Sequence, residues 1–396
     1  MLEATLRERA SRLLTAASHR SDVPPFMVMD VMAAAARIEA AGGHVIHMEV
    51  GQPAASAPKT AILAAHEALN SGRIDYTSAL GTTSLRERIA RHYRESYGIA
   101  VDSGRIVITT GSSGAFILAF LAMFEPGDRV AVTVPGYPPY RHILTALGCE
   151  PVLIETSSET RHALTGEALL AAHRKAPLKG VLVGSPANPT GTMMSRDALS
   201  GLISAAEAAG IRFISDEIYH GLDYAFPAVT AAELSANALV INSFSKYFCM
   251  TGWRVGWMVV PEPLVRPIER LQQNLAISVP TLSQIAAEAA FDGAAEMEEI
   301  KRGYLENRRI LIEGLPRAGL AKFLPADGAF YLYADVSDFT SDSFEFAGRM
   351  LEKAHVAATP GVDFDPVRGR QFIRFSYARS AQEMREAVER IGHWLK

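Results

Sequence analysis

The hydrophobic positions of the chain form short apolar runs that alternate with longer amphipathic segments between residues 105 and 242. Short apolar runs predict buried strands, and amphipathic segments of this length predict helices. The predicted strands span 105–109, 129–134, 151–154, 180–184, 211–215 and 239–242, and the predicted helices span 113–124, 140–147, 165–175 and 195–209. This alternation is typical of a mostly parallel sheet with helices on both faces.

Helical patterns dominate on either side of this region. A charged amphipathic helix is predicted to open the chain, and a short strand is predicted over 45–50. Further helices are predicted over 28–41, 59–71, 83–97, 263–275, 281–292, 294–318, 341–354 and 381–395, and further strands over 329–335 and 372–377. We therefore expect an α/β fold with a large domain over 51–294, a smaller α+β domain over 295–396, and an N-terminal segment, 1–50, that packs with the small domain.

The composition narrows the class of protein. The formal net charge of −4 leaves no basic excess for binding nucleic acid. Cys149 and Cys249 are too few for a disulfide framework and fit buried thiols in a reducing compartment. No apolar run reaches the roughly 18 residues of a membrane-spanning helix, and the charged first residues lack the apolar core of a signal peptide. We expect a cytoplasmic protein that contacts neither nucleic acid nor membrane, and we predict no metal site.

Ligands of parallel sheets bind beyond the carboxyl ends of the strands, so the residues that follow each predicted strand are the candidates for chemistry. The first strand is followed by Gly-Ser-Ser-Gly at 111–114, which opens a helix. Its backbone N–H groups could bind a phosphate, although a serine N-cap would look the same. Tyr137 follows the next strand and could present its ring to an aromatic ligand, or could simply cover the sheet edge.

Three later strand ends carry polar side chains. Asn188 lies in an Asn-Pro-Thr-Gly turn with its amide free to donate. Asp216 directly follows a strand, with Tyr219 three residues on, and could bind a cation or cap a helix. Lys246 stands between two apolar runs. Partial desolvation would lower its pKa and make its amine a nucleophile able to form a Schiff base, unless the side chain extends into water.

Together these strand ends offer a phosphate cradle, an aromatic platform, an amide, a carboxylate with a phenol, and an amine. They describe a phosphorylated, aromatic, nitrogen-containing aldehyde, and pyridoxal phosphate is such a molecule. Lys246 would hold the aldehyde, and Asp216 would keep the pyridine nitrogen protonated so that the ring can accept electrons.

Four motifs also carry a resemblance to a known family: Asn-Pro-Thr-Gly at 188–191, Asp-Glu-Ile-Tyr at 216–219, Ser-Phe-Ser-Lys at 243–246 and Thr-Gly-Trp-Arg-Val-Gly at 251–256. In order and spacing, from about residue 25 to the end, the chain resembles the fold-type I pyridoxal-phosphate enzymes. The nearest resemblance is to the class I/II aminotransferases related to aspartate aminotransferase. It implies transfer of an amino group between an L-amino acid and a 2-oxo acid, with 2-oxoglutarate as the expected acceptor.

The resemblance also implies a role for each matching residue. Lys246 would form the Schiff base and shuttle the proton, and Asp216 would pair with the pyridine nitrogen. The other cofactor roles are hydrogen bonds to the phenolate oxygen from Tyr219 and Asn188, stacking by Tyr137, and phosphate contacts from Ser112, Ser113, Ser243 and Arg254. Tyr76 would reach the phosphate of the neighbouring subunit, which implies a homodimer with composite active sites.

For the substrate, the resemblance implies that Arg374 grips the α-carboxylate, with the backbone of Gly51 and the amide of Asn188 nearby. Arginine suits this role because its guanidinium pairs with a carboxylate through two parallel hydrogen bonds. No motif anchors a second arginine for a side-chain carboxylate, so Arg73 and Arg141 are candidates only by being arginines. With Phe26, Tyr137 and Tyr140 near the cleft, we expect apolar or aromatic donors to be handled beside a dicarboxylate.

Three other functions compete with this interpretation. A carbon–sulfur β-lyase would use the same lysine and aspartate. A regulator with an aminotransferase-like effector domain would need a DNA-binding region, and residues 1–50 are too short and not basic enough to provide one. A serine acyl-enzyme would match Ser-x-x-Lys at 243–246, but the companion motifs Ser-Asp-Asn and Lys-Thr-Gly are absent from the sequence.

Overall fold

The computed structural model describes residues 14–72 and 74–396. The opening helix predicted from the first residues falls largely in 1–13, and that part and Arg73 lie outside the described residues. The main helices are α1 (Met27–Ala40), α2 (Lys59–Ser71), α3 (Thr83–Tyr97), α4 (Gly111–Met123), α5 (Pro138–Ala146), α6 (Gly166–Lys175), α7 (Arg196–Ala208), α8 (Ala231–Leu234), α9 (Glu262–Leu275), α10 (Thr281–Ala290), α11 (Ala294–Arg317), α12 (Ser343–Ala354) and α13 (Ala381–Trp394).

Thirteen strands connect these helices in the described part of the chain. They are β1 (Ile46–His47), β2 (Ile106–Thr109), β3 (Arg129–Val134), β4 (Glu150–Glu155), β5 (Gly180–Gly184), β6 (Arg212–Asp216), β7 (Leu239–Ser243), β8 (Gly256–Val259), β9 (Lys322–Phe323), β10 (Tyr331–Asp335), β11 (Val356–Ala357), β12 (Thr359–Pro360) and β13 (Phe372–Ser376). All predicted strands are present, although the one expected over 45–50 is reduced to two residues.

The central sheet has seven strands in the order β2-β8-β7-β6-β5-β3-β4. Strand β8 runs antiparallel to both of its neighbours, and the other pairings are parallel. Alternate residues of every strand except the edge strand β4 enter two separate hydrophobic clusters, as Val181 and Leu182 illustrate. Each face of the sheet is therefore covered by a core of its own, and the predicted α/β class with a mostly parallel sheet flanked by helices is confirmed.

A second, antiparallel sheet of order β12-β13-β10-β9 contributes to a third core together with helices of the C-terminal part. The N-terminal segment joins this part, because β1 pairs in parallel with β11 and α1 packs on β11 and β12. This contact agrees with the expected place of the N-terminal segment, and the domain boundaries 1–50, 51–294 and 295–396 stay a prediction.

Side-chain caps explain why two helices begin one residue later than predicted. Ser195 and Thr165 were included in the predicted helices, but each accepts a hydrogen bond from a backbone N–H three residues on and so serves as the N-cap of α7 or α6. Cys149 and Cys249 are free and buried, as expected. Among the described helices, none combines the length and apolar character needed to cross a membrane. The cytoplasmic location stays a prediction.

Candidate active site

A cavity of about 230 Å³ lies where the carboxyl ends of the central strands approach the N-terminal segment and the second sheet. The predicted site residues that line it are Gly51, Ser112, Ser113, Tyr137, Asn188, Tyr219, Lys246, Arg254 and Arg374. Parallel strands place their carboxyl ends at one edge of the sheet, so residues that are distant in the sequence converge there.

Lys246 stands in the wall of this cavity. Its Nζ donates a hydrogen bond to the carbonyl oxygen of Gly51 at 2.7 Å and lies 5.8 Å from the centre of the Tyr219 ring. Burial, with a smaller contribution from the charges of Arg374 and Arg254, lowers the pKa of its ammonium group to about 8. A substantial fraction of the amine is therefore neutral, and nucleophilic, slightly above neutral pH.

Asp216 is the last residue of β6 and is buried beneath the cavity. One carboxylate oxygen accepts the backbone N–H of Ile218 at 3.1 Å, and the other accepts the hydroxyl of Tyr140 in a short hydrogen bond. Burial raises the pKa of the carboxyl to about 6, while these two hydrogen bonds and the charge of Lys246 oppose the rise. No regular helix begins directly after Asp216, so its side chain is not the helix cap considered as an alternative.

The N-terminus of α4 forms the proposed phosphate cradle. The helix begins at Gly111, and its N-cap Thr110 makes no side-chain capping bond, so Ser112 and Ser113 lie in the first turn and are not N-caps. Gly111 has φ +67°, and a Cβ atom there would lie 2.5 Å from a guanidinium nitrogen of Arg254. A guanidinium beside the positive end of a helix is a repulsive pair that a bound anion would convert into two attractive contacts.

Besides Asp216, two further predicted residues, Ser243 and Tyr76, do not line this cavity. Ser243 is buried, and its Oγ lies 2.9 Å from Ser245 Oγ and 3.2 Å from the carbonyl oxygen of Val255, whereas Ser245 itself lines the cavity. The phosphate role of Ser243 stays a prediction, and Ser245 is better placed for it. Tyr76 is 80% exposed and does not line the cavity of its own chain, which leaves its side chain accessible to another molecule.

Arg374 also lines the cavity and is held by several contacts. It is buried in β13, donates to the side-chain oxygen of Asn188 at 2.9 Å and also contacts the carbonyl oxygen of Glu49. Its guanidinium carbon lies 4.5 Å from the ring centre of Tyr331 and 4.7 Å from that of Phe364. The arginine is thus not a surface residue of its strand, and its rigid placement suits the recognition of a carboxylate.

The structure also brings to the site one residue for which no role was expected, Tyr331, and gives Tyr140 a contact different from the expected one. The hydroxyl of Tyr331 lies 2.7 Å from that of Tyr219. A Cβ atom on Gly51 would come within 1.9 Å of the Tyr331 hydroxyl oxygen, so only glycine fits at position 51. Tyr140, expected near the substrate side chain, instead donates its hydroxyl to Asp216. No motif in the sequence distinguishes Tyr331 from its strand neighbours.

The charged side chains that line the described part of the cavity all have the same sign. Lys246, Arg254 and Arg374 are the charged residues among the described lining residues, and all three are cations. Such a cavity favours a ligand set with at least two anionic groups. Arg141, a candidate for a second carboxylate, donates to the carbonyl oxygen of Asp363 at 2.6 Å and does not line the cavity.

Comparisons with known proteins bear on this site. A family model described as "Aminotransferase class I and II" matches residues 43–391. A valine–pyruvate aminotransferase of Mycobacterium tuberculosis is 49% identical over 380 residues, which cover 95% of this chain and 97% of that protein. A crystal structure of an aminotransferase from the same organism is 48% identical, with a TM-score of 0.93 over 96% of this chain and 99% of that one.

A more distant structure shows the same architecture. Aspartate aminotransferase of Thermus thermophilus, solved with maleate, is 30% identical, with a TM-score of 0.89 over 96% of this chain and 99% of that chain. The family match covers most of the chain, and the relatives are matched over nearly their whole length. The chain therefore belongs to the class I and II aminotransferases and has the fold-type I architecture of that family.

Proposed function

We propose that the protein transfers the amino group of an L-amino acid with an apolar side chain to a 2-oxo acid, with pyridoxal phosphate held covalently by Lys246. The observation that carries the proposal is the cavity that this partly desolvated lysine lines together with two arginines, Arg254 and Arg374, near the buried carboxylate of Asp216. Membership of the aminotransferase family agrees with it.

The residues present fit this cofactor. Its phosphate would bind the first turn of α4 together with Arg254 and Ser245, where a cation already faces a helix N-terminus. Tyr137 would contact its ring and Asp216 its ring nitrogen, and among the described residues the buried carboxylate of Asp216 has no cationic hydrogen-bond partner. The amide nitrogen of Asn188 remains free to donate, because its oxygen accepts from an arginine.

When bound, pyridoxal phosphate supplies an electron sink for a carbanion at the substrate α-carbon. Lys246 Nζ would take the proton from that carbon and pass a proton to the cofactor carbon within the same half of the reaction, and the second half would run these transfers in reverse. Asp216 holds a proton at the ring nitrogen, and Arg374 orients the substrate through its α-carboxylate. General acid–base help from a positioned group such as Lys246 is worth roughly 10²–10⁴-fold in rate.

The substrate side chain would contact the beginning of α1, where Phe26, Val28 and Met29 line the cavity. This apolar wall favours donors such as valine, leucine, methionine or phenylalanine. Arg374 is needed for the α-carboxylate, and Arg254 faces the phosphate cradle. Among the described lining residues no other arginine remains for a second carboxylate. This favours pyruvate over the expected 2-oxoglutarate as acceptor, in agreement with the name of the valine–pyruvate relative.

The proposal is tested by spectroscopy and a donor screen. The purified protein with pyridoxal phosphate should absorb in the visible range, bleach on addition of an apolar amino acid and recover on addition of pyruvate. The competing β-lyase would instead release ammonia and pyruvate from a donor with a carbon–sulfur bond. Preference for aspartate, with leucine, methionine and phenylalanine inert, would show that an unrecognised cation reads the side chain.

We also propose that the enzyme is a homodimer in which Tyr76 of each subunit contributes to the active site of the other. The loop around Tyr76 carries the exposed Ile74, and the hydroxyl of Thr281 contacts the carbonyl oxygen of Asp75. This contact ties the loop to the segment that carries the exposed Ile277. Exposed apolar side chains around a highly exposed tyrosine are features expected of a subunit interface.

A further inference from the structure

Tyr140 is a buried tyrosine whose hydroxyl donates a single hydrogen bond. It follows the stacking candidate Tyr137 by three residues, in the first turn of α5, and its hydroxyl donates to the carboxylate of Asp216. The only other hydrogen bond to that carboxylate within the described residues comes from the backbone of Ile218. The phenol therefore provides the one side-chain hydrogen bond that Asp216 receives.

The ring of Tyr140 is held on two sides. It meets Phe116 and Tyr137 edge to face, with ring centres 5.2 Å apart in each pair. On a third side lies Gly184, where a Cβ atom would come within 3.1 Å of the Tyr140 hydroxyl oxygen. The phenol has little freedom to turn, so the carboxylate oxygen to which it donates is fixed as well.

We propose that Tyr140 is a positioning residue for Asp216: its hydroxyl orients the carboxylate toward the ring nitrogen of pyridoxal phosphate and keeps it ionised there. This inference rests on the proposed cofactor function. Tyr140 does not need to contact the substrate or the reacting atoms. Its ring contacts Tyr137, the proposed stacking residue, and its hydroxyl contacts Asp216, which would stabilise the protonated ring nitrogen.

The physical reason is the burial of Asp216. A carboxylate removed from water tends to take up a proton, and a neutral carboxyl group would no longer stabilise a protonated pyridine nitrogen. A hydrogen bond donated to the ionised form counteracts this tendency. Phenylalanine at position 140 would keep the ring contacts and remove only the donor, which leaves one carboxylate oxygen without its partner.

The test measures the protonation state of the ring nitrogen directly. Wild-type and Tyr140→Phe proteins are loaded with pyridoxal phosphate labelled with ¹⁵N in the ring, and the ¹⁵N chemical shift and the cofactor dissociation constant are measured at one pH. We expect a protonated nitrogen in the wild type, a shift toward the unprotonated value in Tyr140→Phe, and a dissociation constant raised about ten-fold, as for loss of one hydrogen bond to a charged group. Unchanged shift and affinity would overturn the proposal.

Two comparisons make the result specific. Tyr224→Phe removes another largely buried phenol, which donates to the carbonyl oxygen of Ala329 at 2.7 Å outside the cavity lining, and should change neither readout. In an Asp216→Asn background, Tyr140→Phe should have almost no further effect on cofactor affinity, because Tyr140 acts through Asp216. Additive losses in the double variant would contradict the positioning role.

A third measurement does not depend on the cofactor or on the folding of Tyr140→Phe. In cofactor-free protein with ¹³C-labelled tyrosine, the Cζ signal of Tyr140 should shift in Asp216→Asn, because the acceptor of its hydroxyl changes. An unchanged Cζ signal would contradict the proposal. Failure of the wild type to bind pyridoxal phosphate would instead contradict the proposed function, with the Tyr140–Asp216 coupling still measured.

Discussion

At the scale of single residues, the amine of Lys246 differs from that of an exposed lysine because it is buried. Its pKa is lowered to about 8, so the neutral, nucleophilic form predominates above pH 8 and the ammonium form below it. We expect trace acylation of Lys246 in the cofactor-free protein, followed by peptide mass spectrometry, to rise most steeply between about pH 7 and 9. In the unfolded chain the same peptide should follow a lysine pKa of about 10.4.

Loss of this amine should also separate binding from chemistry. Lys246→Ala should still bind pyridoxal phosphate through the phosphate and ring contacts, yet it should show no transamination, since no group remains to move the α-proton. Borohydride reduction of the loaded wild type should label Lys246. Labelling of a different lysine would show that the assignment is wrong.

Arg374 is the residue through which every substrate should be recognised. Losing a charged, hydrogen-bonded contact costs roughly 1.5–3 kcal/mol, so Arg374→Ala should lower kcat/KM at least ten-fold for all amino donors alike. Arg374→Lys is the matched comparison, since it keeps the charge but not the two-pronged geometry, and should lose less. An effect confined to one class of donor would instead place Arg374 at the side chain.

The site residues that could be identified from the sequence are charged residues next to or within apolar strands. Lys246, Asp216 and Arg374 were predicted and lie at or directly beneath one cavity. Tyr331 was not, because its contacts with Gly51 and Tyr219 are made between segments far apart in the sequence. Likewise, the choice between Ser243 and Ser245 depends on how the chain turns after β7, which residue types do not reveal.

At the scale of elements, the N-terminus of α4 should be sensitive to a single methyl group. Gly111→Ala would force an alanine into φ +67° and place its Cβ 2.5 Å from Arg254, so we expect weaker cofactor binding in titrations of the folded protein. Gly114→Ala is the matched control on the same helix, since its Cβ would meet Thr110 at an ordinary 3.4 Å. Equal losses of affinity in both variants would indicate a general effect on the helix and not on the cradle.

The boundaries of helices and strands were predictable where residues next to them in the sequence determine them. They were less predictable where pairing with a distant strand determines them. Helices α2 and α3 have their predicted bounds, because their amphipathic patterns end at glycines. Strand β1 keeps only Ile46 and His47 of the expected 45–50, since its partner β11 is itself two residues long. Nothing in the apolar run around β8 indicated that this strand would run antiparallel to its neighbours.

At the scale of the whole molecule, Tyr76 allows a test of whether the two active sites of the proposed dimer depend on each other. If Tyr76 completes the partner's site, a hybrid of one Lys246→Ala and one Tyr76→Phe subunit contains one site that lacks both groups and one site that has both. The second site combines Lys246 of the Tyr76→Phe chain with Tyr76 of the Lys246→Ala chain, so it should be equivalent to a wild-type site.

Mixing the two variants under conditions that exchange subunits should therefore raise activity above the average of the separate proteins. Lys246→Ala mixed with wild type is the control, since neither chain lacks Tyr76 and exchange should leave the activity per intact lysine unchanged. Size-exclusion chromatography with light scattering should show a dimer before and after mixing. If subunits exchange but the activity equals the average of the two separate variants, each chain completes its own site. Tyr76 would then have no role in the partner's active site.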